Sequence, residues 1–214
     1  MKGLLLKDFM NLEKIGKQYL VIFLGMTVVA VATKNPSFVA MFIILCGSMA
    51  VISSFSFDEY TRFDIYIMAL PVRRKDVVKE KYILMLILMV IPIIVGTVLS
   101  IAVHQLIDAG NVMELIGFSV GMGSALYMAY AIMLPFIFKM GVEKARIIMI
   151  VSYVFVFGMI YLLSKIVFDI FLSATRLSQN MQGILFLMLL LFLDVLFFFV
   201  SYIVSKGIMM KKEF

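Results

Sequence analysis

The charged residues of this chain gather into short clusters, and between them run long apolar stretches without charge. Six such stretches stand out, at 18–33, 35–57, 82–107, 115–138, 147–164 and 177–205, the last interrupted only by Asp194. A bilayer core needs about 20 mostly apolar residues in a helix, so each stretch fits one span. The first is the shortest, and the snorkelling stems of Lys17 and Lys34 extend it. Runs such as YILMLILMVIPIIVGTVL lack the period-two alternation of a membrane barrel strand, so the spans are expected to be helical. Pro92 and Pro135 fall inside spans and predict kinks, which membrane helices tolerate when neighbours satisfy the freed carbonyls.

Composition agrees. The 214 residues are 64% hydrophobic and 15% charged, with a mean hydropathy of +1.12; soluble domains carry about 25% charged residues. Such a chain cannot cover its surface with polar groups in water, and the expected fold is all-α, a polytopic membrane protein with six transmembrane helices in a single domain over 1–214. A lone cysteine, Cys46, excludes an internal disulfide, and with His104 as the sole histidine no metal cluster or triad chemistry is expected. His104 reads as an interfacial residue and Cys46 as a packing residue. No cleavable signal peptide is expected, because an amphipathic segment precedes the first apolar run.

The net charge of +6 raises the question of nucleic acid, but its distribution answers it. Sixteen of the 19 lysines and arginines lie at the two termini and in the loops after the second and fourth spans. Lys34, Lys165 and Arg176 are alone on the opposite side. By the positive-inside rule both termini face the cytoplasm, and the charge orients the chain in a membrane rather than binding nucleic acid.

Three parts of that cytoplasmic side carry pattern. The segment 1–17 places Leu5, Phe9, Leu12 and Ile15 near one helical face with Lys7, Asp8, Lys14 and Lys17 largely elsewhere, as in an amphipathic elbow helix lying in the interface. The loop 58–81 opens with DEYTRFDIYIMA, in which Asp58 and Arg62 have ion-pair spacing and Tyr60, Phe63 and Ile67 form an apolar face on one short helix. Leu70-Pro71 breaks that helix and starts the next, and the run RRKDVVKEK leads into the third span. Positive-inside charge explains these lysines and arginines. It does not explain the acids and aromatics of 58–67, for which a partner-docking surface is the better account. The shorter loop 139–146 has Gly141 as its turn, followed by Glu143, Lys144 and Arg146.

Inside the membrane, Asp194 reads either as a polar pathway element or as a carboxyl group tied to a neighbouring Ser, Thr or Tyr, since a charge at mid-bilayer costs about 2.5–3.5 kcal/mol on insertion scales. Gly117, Gly121, Ala125 and Ala129 repeat every four residues and make a smooth stripe for close helix packing, within one subunit or between two. The 19 methionines suit adaptable apolar surfaces.

The paired motifs LPVRRKDVVKEKY and FKMGVEKARII, with the elbow and six spans, resemble the membrane subunits of bacterial ABC exporters of the second permease type. The small size resembles in particular the peptide exporters of Gram-positive bacteria that move phenol-soluble modulins. The resemblance implies a permease that pairs with a second copy or a paralogue, rests on a separate cytosolic ATPase and exports amphipathic peptides across the bacterial cell membrane. It implies an ATPase-contacting helix over about Asp58–Leu70, including Asp58, Glu59, Tyr60, Arg62, Phe63, Asp64, Tyr66 and Ile67. A second contact is implied at Lys139, Gly141, Glu143 and Lys144. The chain contains no G-x-x-x-x-G-K-[ST] phosphate loop, so it is not expected to be an enzyme; ATP and magnesium would be bound by the partner. Alternative cargoes are a lantibiotic, a drug or a lipid. A proton-coupled transporter using Asp194 is a more distant alternative.

Overall fold

The computed structural model describes residues 2–63, 73–107, 111–167 and 179–211. Among them the structure is helical and contains no strand. Six helices follow one another: α1 Lys2–Ala32, α2 Ser37–Tyr60, α3 Arg74–Ile107, α4 Val112–Met140, α5 Val142–Ile166 and α6 Gln179–Lys211. Helices α2 to α6 are each long and apolar enough to cross a membrane. Helix α1 has two arms, Gly3–Glu13 and Gln18–Ala32, set at 57° to one another. At 34 residues, α3 is about 51 Å long at 1.5 Å per residue and exceeds a hydrocarbon core of about 30 Å. Its charged first two turns, Arg74 to Lys81, therefore extend beyond the uncharged span that begins at Tyr82.

The turns follow from local chemistry. Helix α1 ends in a paired closure, Asn35 N–H to Ala30 C=O at 3.0 Å and Lys34 N–H to Val31 C=O at 3.2 Å, with Lys34 at φ 52°. This is the left-handed stop that takes up a helix's last carbonyls. Asn111 caps α4 by accepting the Met113 N–H at 3.1 Å. Between α4 and α5 the chain reverses through a single residue, Gly141, whose φ of +83° disfavours a side chain.

Helix α4 is the axis of the bundle. It packs against α2, α3, α5 and α6, while α1 lies at the edge against α2 and α3. Both sequence-predicted prolines sit in packed places. Pro135 has no N–H for the Ala131 carbonyl four residues earlier, and the Ser201 hydroxyl of α6 donates to that carbonyl instead. Because Ser201 has already used its proton, Tyr82 donates to Ser201 Oγ at 2.5 Å and accepts from Ser205 Oγ at 2.7 Å. Tyr82 is further held edge-on by Phe198 and Tyr202, both at 5.4 Å between ring centres. Pro92 lies directly against Gly47 of α2, where an added Cβ would stand 2.3 Å from Pro92 Cγ and 2.7 Å from the Leu88 carbonyl oxygen. The Pro92 face of α3 thus requires a glycine opposite it.

Two sequence expectations need correction. Asp58 and Arg62 do not share a helix: α2 continues to Tyr60 and stops, with Thr61 as its C-cap and Arg62 at φ 48°. Consequently Tyr60 and Phe63 do not form one helical face. Tyr60 is 89% exposed, whereas Phe63 packs back against the core. Asp58, in the last turn of α2, turns inward as the counter-ion of the buried Lys81 and the half-buried Lys7. Secondly, the polar side of 1–17 is not uniformly outward, since Asp8 is the most buried charged residue among the described residues and Leu6, Phe9 and Met10 are exposed. Asp64, Tyr66, Ile67, Leu70 and Pro71 lie outside the described residues.

Candidate functional site: the charged end of the helix bundle

The first arm of α1, the end of α2, the beginning of α3 and the α4–α5 turn converge at one end of the bundle. Their junction is an ionic cluster. Lys81, with 4% of its side chain exposed, reaches Asp8 Oδ2 at 2.6 Å, Asp58 Oδ2 at 2.5 Å and Ser54 Oγ at 2.8 Å. Ser54 in turn donates to Asp8 Oδ2 at 2.9 Å. Lys7 closes the ring by pairing with Asp58 and by standing 3.0 Å from Asp8 Oδ1. Two cations and two anions balance, which a buried cluster requires, because removing one partner of such a pair typically costs about 3–5 kcal/mol. The apolar walls add to this: the Lys7 ammonium lies 3.6 Å from the centre of the Phe63 ring, and that of Lys81 lies 5.0 Å from that of Phe55.

Protonation follows from the same arrangement. Burial pushes the Asp8 carboxyl up, but the charge and hydrogen bond of Lys81, with the charge of Lys7, outweigh it and hold Asp8 below its ordinary value. Burial lowers the affinity of Lys81 for its proton, yet Asp58, Asp8 and Glu80 more than restore it, and the ammonium is held above its ordinary value. Glu80 behaves differently. It is buried, its Oε1 has no hydrogen-bond partner among the described residues, and its carboxyl is pushed up to about 8. Burial is the main cause, against the pull of Lys81 and with the added repulsion of Asp8. A neutral Glu80 that hydrogen-bonds to Asp8 keeps the cluster at zero net charge.

A second link joins the neighbouring loop. Glu59 Oε2 accepts the Val142 N–H at 2.6 Å. A cleft of about 290 Å³ lies between these parts, lined by Asp58, Glu59, Phe63, Glu80 and the 138–142 turn among others. Of the residues expected to meet a partner, Tyr60, Arg62, Lys139, Glu143 and Lys144 are exposed, while Asp58 and Phe63 turn inward and Glu59 bridges to α5. The sequence reading missed Asp8, Ser54, Glu80 and Lys81. Lys81 was absorbed by the positive-inside argument, and no pattern distinguished it from the solvated lysines beside it.

Elsewhere, Asp194 is buried on α6 facing Ser124 and Tyr127 of α4. The small-residue stripe divides. Ala125 and Ala129 pack with Val156 of α5 and Leu190 of α6. An added Cβ on Gly121 would just touch Leu187, and one on Gly117 would meet nothing. The glycines in close helix contact are instead Gly47, Gly96 and Gly123.

Five apolar helices, four of them packed around the fifth, with the ionic groups collected at one end, define a multi-pass helical membrane protein. A family model described as ABC-2 family transporter protein matches residues 3–210. The chain belongs to that family and is a membrane component of transport. No curated protein and no solved structure matches it.

Proposed function

We propose that the chain is the permease subunit of an ATP-driven ABC exporter and that its charged end faces the cytoplasm, where a separate ATPase docks. In this reading Gln18–Ala32 is the first of six spans, the arm Gly3–Glu13 is an elbow helix in the interface, and both termini are cytoplasmic. One observation carries the docking site. The ionic cluster fixes Asp58 at the root of the loop after α2, while Tyr60 and Arg62, immediately beyond it, project outward. A lever needs this combination of a rigid foot and a free contacting face. ATP and magnesium are bound by the partner, and two copies of the chain, or this chain and a paralogue, form the pathway. The cargo is an amphipathic or hydrophobic peptide of the phenol-soluble modulin kind. The methionine-rich apolar surfaces suit such a cargo, because thioether side chains adapt to varied shapes.

The test is co-purification of the chain with a separately encoded ATPase, followed by peptide-stimulated ATP hydrolysis. Tyr60→Ala with Arg62→Ala is expected to weaken capture of the ATPase by about tenfold or more, the effect of losing an anchoring contact. Transport in vesicles that needs no ATPase and follows a proton gradient overturns the reading.

A further inference from the structure

We propose that Glu59 is a positioning residue that braces the loop after α2 against the start of α5, so that the two outward contacts of this subunit move as one body. The inference rests on the docking reading above and adds to it a specific internal strut.

The first N–H groups of any helix lack partners within the helix, and the partial positive charge there favours a carboxylate. Helix α5 begins at Val142, directly after Gly141, which has no side chain to serve as a cap, and no side-chain cap bond comes from that position. The cap is supplied instead by Glu59, 83 residues earlier in the chain, through a 2.6 Å bond to the Val142 N–H. This bond is short and charge-assisted, the stronger kind. The carboxylate also fits closely over the glycine: a Cβ on Gly141 would lie 2.9 Å from Glu59 Oε1. Gly141 is the one-residue joint between α4 and α5; Val142 and Ala145 pack the first turn of α5 into the core, and Glu59 adds the polar link from that turn to α2.

The other end of the strut is fixed. Asp58, the adjacent residue, is held by Lys7 and Lys81. Glu59 also forms part of the wall between the inner cleft and an outer groove of about 640 Å³ lined by Tyr60, Glu143 and Arg146. That groove therefore has one side on the end of α2 and the other on the start of α5, with Glu59 between them. A push on Tyr60 or Arg62 displaces Glu59 and, through it, the beginning of α5.

The experiment is hydrogen exchange on the permease–ATPase complex in nanodiscs, comparing the nucleotide-free state with the state trapped by ATP and vanadate. In the unaltered chain, segments 56–63 and 139–146 are expected to change protection together. In Glu59→Ala the first segment still responds, while the response of the second falls about fivefold or more, the lower range of a site-to-site coupling. Glu59→Gln keeps a hydrogen-bond acceptor and restores most of the joint response. An undiminished response of 139–146 in Glu59→Ala overturns the strut while leaving the docking reading in place. No response of either segment in the unaltered complex overturns the docking reading, and the strut with it.

Discussion

Glu80 and Lys81 are neighbours in sequence and both are buried, yet they take opposite roles. Lys81 keeps its charge because Asp58 and Asp8 surround it. For Glu80 the pull of Lys81 does not offset burial and the repulsion of Asp8, and it keeps its proton instead. The consequence for stability has a definite sign. A carboxyl raised from 4.5 to about 8 holds a proton in the folded protein that the unfolded chain releases. Its contribution is fully present below the ordinary value and is lost as pH rises through about 8. The thermal stability of the detergent-solubilised protein is therefore expected to fall between about pH 5 and about pH 8, and Glu80→Gln is expected to flatten that slope. A slope of equal size in Glu80→Gln would show that another group controls it. None of this is legible in the run RRKDVVKEK, where every charge looks equally solvated. The 3.6-residue period of α3 and its packing decide which two of these side chains enter the bundle.

At the scale of elements, the two prolines inside helical spans were legible, but the groups that accommodate them were not. The rule that a freed carbonyl needs a donor says that Pro135 must be answered; only the packing of α6 on α4 identifies Ser201. Ser201→Ala is expected to destabilise the protein by about 1–3 kcal/mol, the cost of a buried group left unpaired. Pro135→Ala restores the backbone N–H, so Ser201→Ala should cost less in that background. Denaturation in mixed micelles of the two single variants and the double variant checks this, and strict additivity would contradict the pairing. Gly47 shows the same limit. As a lone glycine in an apolar run it carries no signal, and its necessity appears only when Pro92 is seen lying against it. The Gly117–Ala129 stripe shows the converse, a clear pattern that contributes close packing only along its second half.

For the whole molecule, the arrangement of charge is the organising feature. The α1 arm, the foot of α3, the end of α2 and the α4–α5 turn meet at one end through the cluster and the Glu59 bond, and Arg74 reaches the Met210 carbonyl of α6 at 3.5 Å. The proposed orientation then has a direct check in a Cys46→Ser background. Lys144→Cys should react with a membrane-impermeant maleimide only in inside-out vesicles, and Leu106→Cys, exposed at the far end of α3, only in intact cells. The reverse labelling would invert the chain and remove the docking site from the cytoplasm.

The amino-acid sequence by itself determined that this is a helical membrane chain, where its apolar runs lie and into which clusters its charge gathers. Those properties depend on local composition and on the cost of exposing backbone and charge to lipid, both readable residue by residue. Tertiary structure alone decided that α4 is the axis, that Asp8 and Lys81 are interior while Tyr60 is not, and that Glu59 caps a helix far along the chain. Each of these depends on which helix faces which, and that is settled by packing between residues distant in sequence rather than by any pattern along it.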